Sequence, residues 1–332
     1  MSYKRFDADD VLVSAESVTT SAWSNNVTTL TSFYTSSVQY NSTSGDYYVN
    51  ISNLDPSGSE EEIQFSVGYG NKDGKGTVLF NSSVPGKSPS DTVYGQYRTL
   101  VLGDEDSDFI FGSGDNTFTA TGIYPISINR GRYKEKILPG SFELTLTNGS
   151  DTIVLSDTST TTTTQTFTDA GRVYELKSDV SASVANSGSY GKLLPDVGLI
   201  LLNEEALDAP VTAGGLNLAT GNNTNTNDEN PKKLYNAIVA GASFKLSSQE
   251  TVSSNFVFAR ARNSEFNYST NPSILTGSGE IRHDILIDAP ETYVTTVGLY
   301  NDNQDLLAVA KLSRPLLKNS TKEALIRIKL DY

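Results

Sequence analysis

The chain has no cysteine, and only one tryptophan, one methionine and one histidine among 332 residues. Without cysteine there is no disulfide, no thiolate metal ligand and no cysteine nucleophile. With His283 alone and no thiol, a zinc site of the usual nitrogen and sulfur ligands cannot be assembled. Long apolar runs are missing too. The longest, near Val197–Leu202, is far too short to span a bilayer. The first residues, Met1 to Asp7, carry two bases with no apolar stretch behind them, which is not the pattern of a secretory signal. Positive charge is scarce, at 25 Lys and Arg against 39 Asp and Glu for a net charge of -14, and basic residues never cluster beyond a pair. Nucleic acid selects a basic surface, so it is set aside as a partner; membrane insertion and anionic membranes are set aside on the same grounds of charge and run length.

What the chain does have is Ser, Thr, Asn and Gly in place of both apolar and charged residues: 37% is apolar and 19% charged. Disordered chains combine low hydrophobicity with high charge and few aromatics, whereas this one carries 17 Tyr and 13 Phe. Its length allows two or three domains and a sizeable core. The composition predicts a mainly β fold of antiparallel, sandwich-like sheets joined by polar turns, with few short helices.

Hydrophobic alternation places strands at Val11–Val13, Tyr47–Ile51, Ile63–Tyr69, Ile123–Ile128, Phe142–Leu146, Ile153–Leu155, Arg172–Leu176 and Phe256–Arg262. Val197–Leu202 is apolar on both faces and predicts a central strand. Asn203 caps a helical turn through Leu207, and Pro231 opens a helix with Leu234, Ala237, Ile238 and Gly241 on one side. Tyr94–Gly103 fits either a helix or a strand. Trp23 falls in a Ser/Asn-rich loop. The organisation reads as an N-terminal β-rich domain over 1–135, a central β region over 136–210, a polar linker over 211–230 that only neighbours would order, and a C-terminal helix plus β-hairpin domain over 231–332. In that hairpin Tyr293–Tyr300 and Asp305–Leu312 flank a four-residue turn. This pairs Leu299 with Leu306 and Val297 with Ala308 on a core face, leaves the other face partly covered, and lets the terminal strand Ile326–Tyr332 add to the same sheet.

No arrangement of nucleophile, base and orienting group emerges, so no catalytic residues, metal ligands or cofactor are expected. His283 and Asp284 are adjacent, but on a strand they would point to opposite faces; a surface histidine is the reading. Asp104, Asp106 and Asp108, with Asp115 at the twelfth position, echo a calcium loop, yet the sixth position is Phe109 where a glycine is needed and the twelfth is not Glu. A solvated acidic loop fits better. Gly112-Ser113-Gly114 lacks the Lys-Ser/Thr of a phosphate loop. The most basic segment supplies Arg130, Arg132, Lys134 and Lys136 as candidate contacts to an acidic partner surface, in a chain that is otherwise acidic.

Several blocks carry a resemblance. Met1-Ser2-Tyr3-Lys4-Arg5-Phe6-Asp7, Tyr94 through Asp104, Leu138-Pro139-Gly140-Ser141-Phe142-Glu143-Leu144, Asp169-Ala170-Gly171-Arg172-Val173-Tyr174, Leu194 through Asn203, Phe266-Asn267-Tyr268-Ser269-Thr270-Asn271-Pro272, Tyr293 through Asp302 and Leu306 through Ser313 are similar to virion structural proteins of T4-like myophages of cyanobacteria. The blocks span nearly the whole chain and carry no chemistry. The resemblance implies a non-enzymatic structural subunit of a bacteriophage tail or baseplate. It would be assembled in the host cytoplasm and would contact other tail proteins and copies of itself. A receptor- or glycan-binding tail-fibre module, or a neck or capsid decoration protein, is the alternative.

Overall fold

The computed structural model describes residues 3–35, 48–58, 61–77, 83, 88–161, 166–179, 188–221 and 229–331. It is mainly β, built of antiparallel sheets with short helices. The strands in chain order are β1 (Val11–Ser21), β2 (Thr29–Leu30), β3 (Tyr48–Ser52), β4 (Ile63–Gly68), β5 (Gly70–Asn71), β6 (Phe109–Ser113), β7 (Asn116–Ala120), β8 (Gly122–Ile128), β9 (Lys136–Ile137), β10 (Glu143–Asn148), β11 (Asp151–Asp157), β12 (Thr166–Thr168), β13 (Gly171–Ser178), β14 (Gly191–Leu194), β15 (Leu199–Asn203), β16 (Phe244–Lys245), β17 (Ser247–Ala261), β18 (Glu291–Tyr300), β19 (Leu306–Asn319) and β20 (Ala324–Asp331). The α-helices are α1 (Pro89–Leu102), α2 (Glu204–Asp208), α3 (Asn230–Gly241) and α4 (Ile285–Asp288).

The chain divides into a larger unit, Val18–Glu250, and a smaller one, Met1–Ser17 with Thr251–Tyr332. The boundaries expected at 135, 210 and 230 therefore do not separate units. The reason is pairing at long range: β8 hydrogen-bonds to β15, and β10 to β16, across those positions. Helix α3 and the C-terminal hairpin, expected together, belong to different units.

In the larger unit the sheet runs β2-β16-β10-β11-β13-β14-β15-β8-β4-β3, with β12 on β13 and β5 on β8. Strand β15 is buried along its whole length, as its apolar sequence requires. Ile200 and Leu202 join the main core, which Leu234 and Ile238 of α3 also enter. Leu199 and Leu201 face the opposite cluster, with Tyr94 and Val101 of α1. Helix α1 resolves the ambiguity at Tyr94–Gly103: Pro89 sits in its first turn, and Gly103 ends it in the left-handed conformation at φ 74. Asn203 caps α2 by accepting from the Glu205 amide at 3.2 Å. Alternation at β4 is broken by Gln64, fully buried where a strand with one wet face would expose it. Its Oε1 accepts from the Ser24 amide at 3.1 Å, and its amide donates to Ser24 Oγ at 2.7 Å.

The segment expected to be a linker is part of this core. Leu216 and Leu218 are buried in it, Asn148 Nδ2 donates to the Leu216 and Asn217 carbonyls at 3.1 and 3.0 Å, and both Asp208 oxygens accept from the Thr220 amide. Two buried leucines and hydrogen bonds from the Asn148 and to the Asp208 side chains thus tie 211–221 to the larger unit. The polar run Asn222–Asn227 lies outside the described residues.

Two of the blocks singled out in the sequence meet in an ion pair. Arg172 Nη2 lies 2.5 Å from Asp196 Oδ1, and the Arg172 Nε and backbone amide donate to Oδ2 at 3.2 and 2.9 Å. These bonds hold the Asp196 carboxyl below its ordinary value. A lowered folded pKa stabilises above the unfolded value of about 3.9, and that contribution is lost as pH falls through the lowered one. The stability gap between the native chain and Asp196→Asn should therefore be full at pH 7 and shrink progressively below about pH 4. Urea titrations at a series of pH values read it; a gap independent of pH would contradict the ion pair.

The smaller unit is a two-layer sandwich. One layer is β1-β17-β20, the other the hairpin β18-β19. Val257 of β17, Ile328 of β20 and Leu299 of β18 form the core between them, edged by Val297, Ala308, Ala310, Ile326 and Leu330. Part of the expected core face is observed, in Leu299, Val297, Ala308 and Ala310, but Tyr293 and Leu306, also expected there, are exposed, and the register differs by two residues: Leu299 pairs with Ala308 and Val297 with Ala310. Tyr293 pairs with Leu317, beyond a second irregularity. The other face is not partly covered but exposed, with Leu307 at 68% and Val309 at 56%. The terminal strand does not extend the hairpin; β20 pairs with β17 in the facing layer. Val297→Asp should place a carboxylate between the layers at a cost of roughly 2–4 kcal/mol, while Thr296→Asp, exposed beside Lys311, should stay within about 0.5 kcal/mol. Equal melting temperatures for the two variants would contradict this packing.

Candidate assembly surface

The residues considered for chemistry are scattered. His283 is exposed and lies not on a strand but just ahead of α4, where its carbonyl accepts from the Leu286 amide at 3.0 Å. The strand reading failed because the Ile-Arg-His-Asp-Ile alternation is interrupted by this turn. The acidic loop closes on itself: Asp104 Oδ1 accepts from the Asp106 and Ser107 amides at 2.9 and 2.6 Å. Asp108 pairs with Lys72 at 2.6 Å. Phe109 then begins β6 as a fully buried residue, where a calcium loop would turn on a glycine. Among the described residues no three His, Asp or Glu side chains group as metal ligands, and no helix is long and apolar enough to cross a membrane.

The basic segment is partly engaged within its own unit. Arg132 Nη1 lies 2.7 Å from Glu62 Oε2 and also donates to Ser24 Oγ. With Ser24, it holds the Glu62 carboxyl below its ordinary value. Lys136 lies 3.6 Å from Glu135, its side chain mostly covered. Arg130 donates to the Tyr133 and Lys134 carbonyls at 2.8 and 2.5 Å, and its guanidinium stands 4.5 Å from the centre of the Tyr133 ring. Arg130 and Lys134 are the two of the four that remain exposed. The segment is a self-braced turn more than an open patch.

The outstanding surface is on the smaller unit, and the sequence reading passed over it. Of the fifty buried apolar residues among the described ones, only Val257, Leu299, Ala324 and Ile328 lie in this unit. Of the twenty-seven exposed large apolar residues among the described ones, sixteen do, including Leu12, Val13, Tyr268, Ile285, Tyr293, Leu307 and Leu325. Side chains of this size span about 150–250 Å² for the aromatics and somewhat less for the aliphatics, so sixteen near half exposure present on the order of 1,500 Å². A standard interface takes only about 800 Å² from each partner. Charge divides unevenly as well. The smaller unit holds 11 Lys and Arg against 13 Asp and Glu, a net of -2, and the larger holds 14 against 26, a net of -12. The exposed residues are divided between the two outer faces of the sandwich, Leu12 and Leu325 on one and Leu307 and Val309 on the other, so with its thin core and near-neutrality the unit offers more than one face to be covered. The available signal was the segment-by-segment charge balance and apolar pairs such as Leu306-Leu307.

Comparison with protein-family models, with curated proteins and with solved structures finds no match to the chain.

Proposed function

We propose that the chain is a non-enzymatic structural subunit of a tailed bacteriophage virion, in the tail or baseplate, acting through protein–protein contacts. The observation that carries the structural role is the smaller unit, which among the described residues exposes sixteen large apolar residues and buries four apolar ones. A unit with so little core gains most of its burial from neighbours, as subunits of permanent assemblies do. The placement in a phage tail rests on the sequence blocks, above all Phe266–Pro272 and Tyr293–Asp302. Its partners are other tail proteins and copies of itself, and no cofactor is needed. Cryo-electron microscopy of purified particles tests it: density for this chain in tail or baseplate is the expected result. Purified chain that releases reducing sugar from host polysaccharide, or that is absent from particles, would overturn it.

A further inference from the structure

In the smaller unit the layer β1-β17-β20 ends in two edge strands. Strand β1 is one. It contains no lysine and no proline, the residues that usually blunt an edge, and Val11, Leu12 and Val13 are 41, 56 and 66% exposed. Strand β20 is the other, with Leu325 59% exposed. Among the described residues each pairs only with β17. The two edges differ in charge. Asp7–Ser17, leading into and along β1, carries Asp7, Asp9, Asp10 and Glu16 and no base, whereas β20 carries Arg327 and Lys329 against Asp331.

Direction and face also match. Ala22, just past β1, donates to the Leu246 carbonyl at 3.2 Å, and Lys4, ahead of it, reaches the Arg260 carbonyl at 2.9 Å. Strand β1 thus runs antiparallel to β17, as β20 does, so β1 and β20 point the same way. Glu16 and Lys329 share a face, their charged atoms 3.9 Å apart. By alternation Leu12 and Ser14 lie on that face with Leu325 and Arg327.

We propose that a second copy of this chain docks edge to edge, β1 of one beside β20 of the next, continuing the layer from copy to copy. The join sets Leu12 near Leu325, Glu16 of one edge near Lys329 of the other, and Asp9 near Lys322. Two β1 edges brought together would set acid against acid. The contact is therefore head-to-tail, which closes into a ring or grows as a filament. It deepens the structural reading by naming the partner and the surface.

Leu12→Lys and Leu325→Glu each spoil one edge at a side chain that the fold leaves exposed. In sedimentation velocity the full-length native chain should form species larger than a dimer as concentration rises. Each variant alone should lose that association by tenfold or more, with an unchanged near-ultraviolet circular dichroism spectrum as the folding control. An equimolar mixture of the two should form a one-to-one dimer that grows no further, because it joins the intact β1 of one to the intact β20 of the other. A native chain that stays monomeric at its solubility limit, variants that associate as the native chain does, or a mixture that stays monomeric would each overturn the proposal. A monomeric chain still found in tail particles sinks this contact and leaves the virion reading standing. Head-to-tail assembly by a chain absent from particles does the reverse.

Discussion

Phe244→Ala should cost the larger unit about 3–5 kcal/mol, the range for deleting a well-packed aromatic ring. Phe244 is fully buried, with ring centres 4.8 Å from Trp23, 5.2 Å from Phe65 and 5.8 Å from Phe142. Its backbone carbonyl accepts from Trp23 Nε1 at 2.8 Å, and its strand ties β2 to β10. Alanine keeps the carbonyl and removes the ring, so the loss measures packing. Phe167→Ala, at a ring 65% exposed, should change stability by less than about 0.5 kcal/mol. Urea midpoints from far-ultraviolet circular dichroism compare the two, and similar losses would mean that the aromatic cluster is not the centre of this core.

Lys318→Met should cost the smaller unit roughly 2–4 kcal/mol. Lys318 is fully buried, and its ammonium donates to the Asn263 carbonyl at 3.0 Å, Asn267 Oδ1 at 2.7 Å and the Asn319 carbonyl at 3.0 Å. Methionine has a stem of similar length but no donor, so three acceptors would lose their partner. The consequence is local first: this lysine pins the loop after β17, which includes the Phe266–Pro272 block. Amide exchange over residues 262–272 should speed up before global unfolding. Unchanged exchange there would show that other contacts hold the loop.

How much of this was legible depends on whether a feature is local. Strand β15, the Pro231 helix start and the Asn203 cap were readable because each is written in a few adjacent residues. The hairpin face was readable because alternation marks it. Its register was not, since a two-residue offset keeps Leu299, Val297, Ala308 and Ala310 on their own face, and only the bulge at the turn moves Leu306 to the other. The offset arises at the turn, where the Asn301 amide donates to the Asp305 carbonyl and Asn301 Oδ1 accepts from the Asp305 amide. The pairing of Tyr300 with Leu306 then leaves Leu307 as an extra residue. Alternation likewise told that Ile326, Ile328 and Leu330 face a core, but not which strand lies beside them. Leu216, Leu218 and Trp23 looked like isolated apolar residues in polar loops because their partners lie far off in sequence. The assembly surface was hidden for the opposite reason: apolar residues in strands read as core until the fold shows that nothing covers them.

Trp23 has one more consequence. It is the chain's only indole, and it is 2% exposed in the core of the larger unit. The smaller unit holds tyrosines but no tryptophan. Emission excited at the red edge of the absorption band therefore reports one unit and is silent about the other. Far-ultraviolet ellipticity, by contrast, sums the strands of both. When the two signals melt at different temperatures, the difference isolates the thin-cored unit within the intact chain. When higher protein concentration brings the two melts together, the light itself records that unit finding its cover.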